Sequence, residues 1–137
     1  MTRIARLVLA SVLALAGLGV AAAPAQAINT CTRTVYLLHE GRATVPADSG
    51  GHWSCVMGVG NSSTAVSALQ RGLNKCYGRG LDVDGQFGPA TKSALIYAQS
   101  REGIAQDGVY GPQSSLNLKW PYYNSSTGAF VRCRSTE

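Results

Sequence analysis

Residues 83–95 read VDGQFGPATKSAL, and residues 106–118 read QDGVYGPQSSLNL. Aligned, Asp84-Gly85 meets Asp107-Gly108, Phe87-Gly88-Pro89 meets Tyr110-Gly111-Pro112, and Leu95 meets Leu118, every pair 23 residues apart. Each copy has the chemistry of a turn, an anchor and a helix start. Asp-Gly permits a tight turn because glycine accepts positive φ. The aromatic pins the turn to a core. Proline suits the first helical turn, where no backbone N–H is needed. A chain that repeats this phrase launches two helices by one device.

Working outward, GPATKSALIYAQSREG is the helix launched at Pro89 and closed by Gly103, and GPQSSLNLKW is a short helix launched at Pro112. Upstream, STAVSALQRGLNKCYG places Val66, Leu69 and Leu73 at i, i+3 and i+7, one face of a helix. Ser62 or Ser63 caps its start and Gly78 its end. Gly72 inside it costs about 1 kcal/mol relative to alanine, so packing must hold this helix. Before it, RTVYLLHEGRATVPA reads as a β-hairpin around Glu40-Gly41-Arg42. In the polar tail, AFVRC reads as a strand able to pair with that hairpin.

The chain has 137 residues and a net charge of +5. Arg3 and Arg6, an apolar run over 8–23 and the small-residue site Ala25-Gln26-Ala27 have the order of a secretory signal peptide, assigned to residues 1–27. The remaining 110 residues, net +3, suit one domain with a modest core. That charge is too weak and scattered for nucleic acid. No later run is long enough to span a bilayer, so no membrane contact is expected after signal cleavage.

Cys31, Cys55, Cys76 and Cys133 all follow the signal segment, and an even count in a small exported chain reads as two disulfides. Three pairings are possible. Cys55 and Cys76 flank the first helix, and Cys31 and Cys133 lie in the terminal strands, so Cys55–Cys76 with Cys31–Cys133 is the preferred arrangement. Each bridge contributes on the order of 3–5 kcal/mol. No CxxC is present, and His39 and His52 are not spaced as ligands beside these cysteines; no metal or cofactor is expected. Asp82, Asp84 and Gly85 lack the third acid and the closing Glu of an EF-hand. There is neither HExxH nor GxSxG, and no good carboxylate pair for glycoside hydrolysis. The chain is therefore not expected to be an enzyme.

Residues 56–118 resemble the small three-helix peptidoglycan-binding domain of bacterial wall enzymes. The family's V-x-x-L-Q-x-x-L is matched by Val66, Leu69, Gln70 and Leu73. Its V-D-G-x-F-G-P-x-T runs from Val83 to Thr91, and a second D-G-x-x-G-P runs from Asp107 to Pro112. Two positions depart: Ala98 stands before Gln99 where the family has an aromatic, and Ser114-Ser115 replace Thr-Trp. Tyr97 and Trp120 are expected to refill the core. The resemblance implies a mainly α fold, a three-helix domain over 55–120, with a small disulfide-tied β extension from 28–54 and 121–137. It implies a secreted or wall-associated, non-catalytic module, monomeric, whose partner is peptidoglycan or a muropeptide. The alternatives are an exported interaction or inhibitor protein with the same fold, and a small wall hydrolase.

Phe87 and Tyr110 read as core anchors, and Asp84 and Asp107 as turn residues. Arg71, Arg79 and Arg101 are the candidates for meeting peptide-stem carboxylates. Trp53, Tyr122 and Tyr123 suit either sugar rings or packing.

Overall fold

The structure, a computed structural model, describes residues 27–136. The expected signal segment lies almost wholly outside them. The elements run β1 (Arg33–Leu38), β2 (Arg42–Ala47), α1 (Thr64–Tyr77), α2 (Pro89–Arg101), α3 (Pro112–Asn117), β3 (Trp120–Tyr123) and β4 (Phe130–Arg134). Three helices and a small sheet built from both ends of the chain form the mainly α module that the sequence implies.

Ser63 caps α1, its hydroxyl accepting from Val66 N, and Gly78 closes it by donating to the Leu73 carbonyl. Pro89 and Pro112 open α2 and α3. Val66, Leu69 and Leu73 are fully buried, as their spacing predicts, and so are Phe87 and Tyr110. Both aromatic anchors also tie backbone to the segment before α1. Phe87 N donates to the Asn61 carbonyl at 2.9 Å, and Tyr110 exchanges two 2.9 Å bonds with Met57. One short segment, residues 57–61, thus receives both copies of the repeated phrase.

The sheet is antiparallel in the order β1-β2-β3-β4. Val35 opposes Val45 and Leu37 opposes Ala43 across the hairpin. The strand expected around AFVRC forms as β4, but its partner is β3, which lies between it and the hairpin. Trp120 and Tyr122 bring β3 into the core at 1% and 2% exposure, and apolar burial outweighs the polar look of the tail that follows.

The disulfides correct the expected pairing. Cys31 joins Cys55, and Cys76 joins Cys133, rather than Cys31–Cys133 and Cys55–Cys76. The reason is geometric. Cys31 N donates to the Val56 carbonyl, which sets the first strand-like segment beside Cys55. The Ser63 hydroxyl donates to the Cys31 carbonyl, which puts the Cys31–Cys55 bridge by the start of α1, whereas Cys76 is in its last turn, and about fourteen residues of helix put some 20 Å between the ends. A bridge needs Cα atoms within about 7 Å. Cys76 therefore meets β4 and Cys55 meets the N-terminal segment.

The core refill is half as expected. Trp120 is buried edge-on against Tyr110, with centroids 6.2 Å apart. Tyr97 is 42% exposed, because the buried face of α2 runs through Thr91, Ala94, Leu95 and Ala98. Trp120 also accounts for Gly72: a Cβ there would stand 3.0 Å from the indole Cε3 and Cζ3.

Candidate functional site

Two buried glutamines organise the turns. The Gln70 amide donates to Asp84 Oδ1 at 2.9 Å, to the Gln86 carbonyl at 3.1 Å and to Thr91 Oγ1 at 3.1 Å, and its oxygen accepts from Gly85 N at 3.0 Å. Gln99 makes the same four bonds to the second turn, to Asp107 at 2.9 Å, the Val109 carbonyl at 3.0 Å and Ser114 at 3.3 Å, and from Gly108 N at 3.0 Å. Gly85 and Gly108 take φ values of 74° and 68°, which side chains with a Cβ rarely adopt. Asp84 Oδ1 also accepts from Gln86 N, and these bonds hold its carboxyl below the usual carboxylate range, the backbone N–H contributing most. Asp84 and Asp107 are turn residues, as their sequence context indicates.

Next to the first turn lies an open groove of about 420 Å³ between the α1–α2 connection and the exposed side of α2. Arg79, Leu81, Ser93 and Tyr97 supply its chemistry. The Arg79 guanidinium carbon sits 4.3 Å from the centroid of the Tyr97 ring. Leu81 is fixed by two 2.8 Å bonds between its backbone and the Asn74 side chain, so this wall of the groove is preorganised. A contiguous depression of about 250 Å³ shares Gly80, Leu81 and Ala90 and reaches Asp82 and Asp84. A cation stacked on an aromatic face, beside a serine hydroxyl and two carboxylates, offers matched contacts to a carboxylate, an apolar ring face and hydroxyl or amide groups.

The six candidate ligand residues do not converge. Only Arg79 lies in this groove. Arg71 and Tyr123 share a small depression of about 60 Å³ with Thr44 and Pro121. Trp53 and Tyr122 share another, about 260 Å³, with Leu37 and Arg134. Tyr122 is buried, and its hydroxyl pKa is raised by that burial. Arg101 is exposed in the last turn of α2, apart from all three. Tyr97 is the groove residue that sequence reasoning sent to the core. Its signal was present, since an aromatic off the apolar face of a helix has no core to fill.

The model of the putative peptidoglycan binding domain family matches residues 62–114. The zinc D-Ala-D-Ala carboxypeptidase of Streptomyces albus G is 42% identical over 102 residues, covering 72% of this chain and 38% of the enzyme. An uncharacterised Kitasatospora aureofaciens protein, named from the bpoA1 3' region, is 38% identical over 90 residues, covering 63% of this chain and 74% of the relative. A peptidoglycan-binding protein from Clostridioides difficile superimposes with a TM-score of 0.46 at 26% identity, over 61% of this chain and 48% of that one.

The carboxypeptidase match corrects the expectation of a non-catalytic module that is not an enzyme. The relative that aligns with most of this chain is itself a catalyst, so the similarity points toward catalysis. The chain spans well under half of that enzyme's length. The zinc in its name finds no fitting donor set among the described residues. No three His, Cys, Asp or Glu side chains converge there, all four cysteines are in disulfides, and His52 Nδ1 is bonded to Asp48. The ordered motifs, the paired glutamine-held turns and the family match over residues 62–114 agree on one assignment: the chain belongs to the putative peptidoglycan-binding domain family.

Proposed function

We propose that this chain holds muropeptide for D-Ala-D-Ala carboxypeptidase chemistry at the bacterial wall, with the Arg79–Tyr97 groove as the seat. The observation that carries the reading is the guanidinium 4.3 Å over a ring that is itself 42% exposed. In the core this pair would be packing; on the rim of an open groove it presents a fork to a stem carboxylate and a ring edge to a sugar or methyl group. Ser93 and the Asp82–Asp84 end of the groove are positioned for hydroxyl and amide groups further along the ligand. In this reading residues 55–120 form the wall-binding unit and 28–54 with 121–137 its β extension. In this reading residues 1–27 direct export and are then removed.

The test is co-sedimentation of the oxidised protein with protein-free sacculi, with D-alanine release followed in the same tubes. Saturable pelleting that survives moderate salt and is lost in Tyr97→Ala supports the groove. D-Alanine release above a sacculus-only blank assigns cleavage to this chain, and pelleting without release assigns it the holding step. A protein that stays in the supernatant sinks the reading.

A further inference from the structure

The groove carries two charges of opposite sign that nothing cancels. Arg79 lines its larger part, over Tyr97, and Asp82 lines the depression that continues it past Leu81. Asp82 is exposed. Among the described residues neither Arg79 nor Asp82 makes an ion pair, with each other or with any other group. Three residues of chain span at most about 11 Å, so the two Cα atoms lie within that distance.

Opposite charges this close attract, and here the fold keeps them apart. Arg79 N donates to the Leu73 carbonyl at 3.2 Å, and Asn74 holds both the N–H and the carbonyl of Leu81 at 2.8 Å. The Tyr97 ring holds the guanidinium from the other side. Asp84 adds negative charge to the Asp82 end, where the Gln86 N–H and the Gln70 amide hold its carboxyl below the usual carboxylate range and so keep it ionised. The groove is therefore positive at one end and negative at the other, on a backbone fixed before any ligand arrives.

That polarity selects among ligands. A neutral glycan satisfies neither end. A polyanion meets Asp82 and Asp84 with like charge, and a polycation meets Arg79 in the same way. A peptide bearing a carboxylate and an ammonium on neighbouring residues satisfies both ends at once. We propose that the groove selects a peptide stem with a free C-terminal carboxylate at Arg79 and a free side-chain ammonium at Asp82, which makes Asp82 the residue that distinguishes free from acylated amines. This rests on the Arg79–Tyr97 seat proposed above and adds the charge at its other end.

NMR titration of the full oxidised chain tests it with two peptides: Nα-acetyl-L-lysyl-D-alanyl-D-alanine, whose ε-amine is free, and its Nε-acetyl derivative. The free amine should bind about three- to fivefold more tightly in the parent. The advantage should shrink as salt rises, because exposed charges are screened. Asp82→Asn should erase the difference and Asp82→Lys should invert it, with thermal midpoints unchanged, since the side chain is exposed and makes no hydrogen bond among the described residues. Equal binding of the two peptides, beside sacculus binding that Tyr97→Ala still abolishes, overturns this inference and leaves the groove reading standing. A preference that persists in Asp82→Asn overturns it as well, by placing the amine elsewhere. If neither peptide binds the inference falls, and if the protein also stays in the supernatant with sacculi the groove reading falls with it.

Discussion

The amide of Gln70 donates to Asp84 Oδ1 at 2.9 Å from a side chain that is 1% exposed, and Gln99 repeats the contact to Asp107 at the same distance. Each glutamine satisfies a turn's glycine N–H and a carbonyl from inside the core. A polar group buried there is stabilising only because all of its bonds are made. Truncation leaves backbone groups stranded. Gln70→Ala and Gln99→Ala should each destabilise the fold by about 2–3 kcal/mol in urea titrations. A loss below about 0.5 kcal/mol would mean that water replaces the amide without cost.

Gly72 sets helix propensity against packing. Alanine would favour α1 by about 1 kcal/mol. Its Cβ would press on Trp120 at 3.0 Å, and that indole is 1% exposed and braced by Tyr110. Overpacking should win, and Gly72→Ala should lower stability by about 1–2 kcal/mol. In a double-mutant cycle with Trp120→Leu the penalty should shrink or reverse. An equal penalty in both backgrounds would place the strain elsewhere.

The two disulfides close loops of different length, 24 and 57 residues apart. In the chain-entropy model these correspond to about 3.5 and about 4 kcal/mol. The Cys76→Ala/Cys133→Ala variant should therefore be the less stable of the two double-alanine variants. It should also free β4 from α1, visible as faster amide exchange over residues 130–134. Peptide mapping under non-reducing conditions checks the pairing directly.

Asp48 is buried, and its pKa falls from the ordinary 3.8 to about 2. The Asn29 amide contributes most, followed by His52 N. A carboxyl with a depressed folded pKa supplies stability above its unfolded pKa and loses it as pH falls through the folded one. Thermal midpoints should hold down to about pH 4 and fall between about pH 4 and 2. In Asp48→Asn that acid slope should flatten. An unchanged slope would assign the transition to other carboxylates.

In the groove, Tyr97→Ala and Arg79→Gln should each weaken sacculus binding about three- to tenfold. Neither side chain fills the core, so thermal midpoints should move by less than about 2 °C. Two variants with parental binding would move the wall contact away from Arg79 and Tyr97.

Much of the fold is local chemistry, which is why it could be read from residues in order. Asp-Gly turns, Gly-Pro helix starts, the Ser63 cap and the i, i+3, i+7 spacing of Val66, Leu69 and Leu73 each depend on neighbours within a few positions. These fix three helices, two repeated turns and the burial of Phe87 and Tyr110. The tertiary structure decided what depends on distant segments meeting. It paired Cys76 with Cys133, slid β3 between the hairpin and β4, and laid Trp120 on Gly72. It also turned Tyr97 out onto the rim beside Arg79 and dispersed the other candidate ligand residues over separate surfaces. Spacing along a chain carries the period of a helix or strand, but not which faces come together; that is settled by packing the apolar faces while pairing the buried glutamine amides.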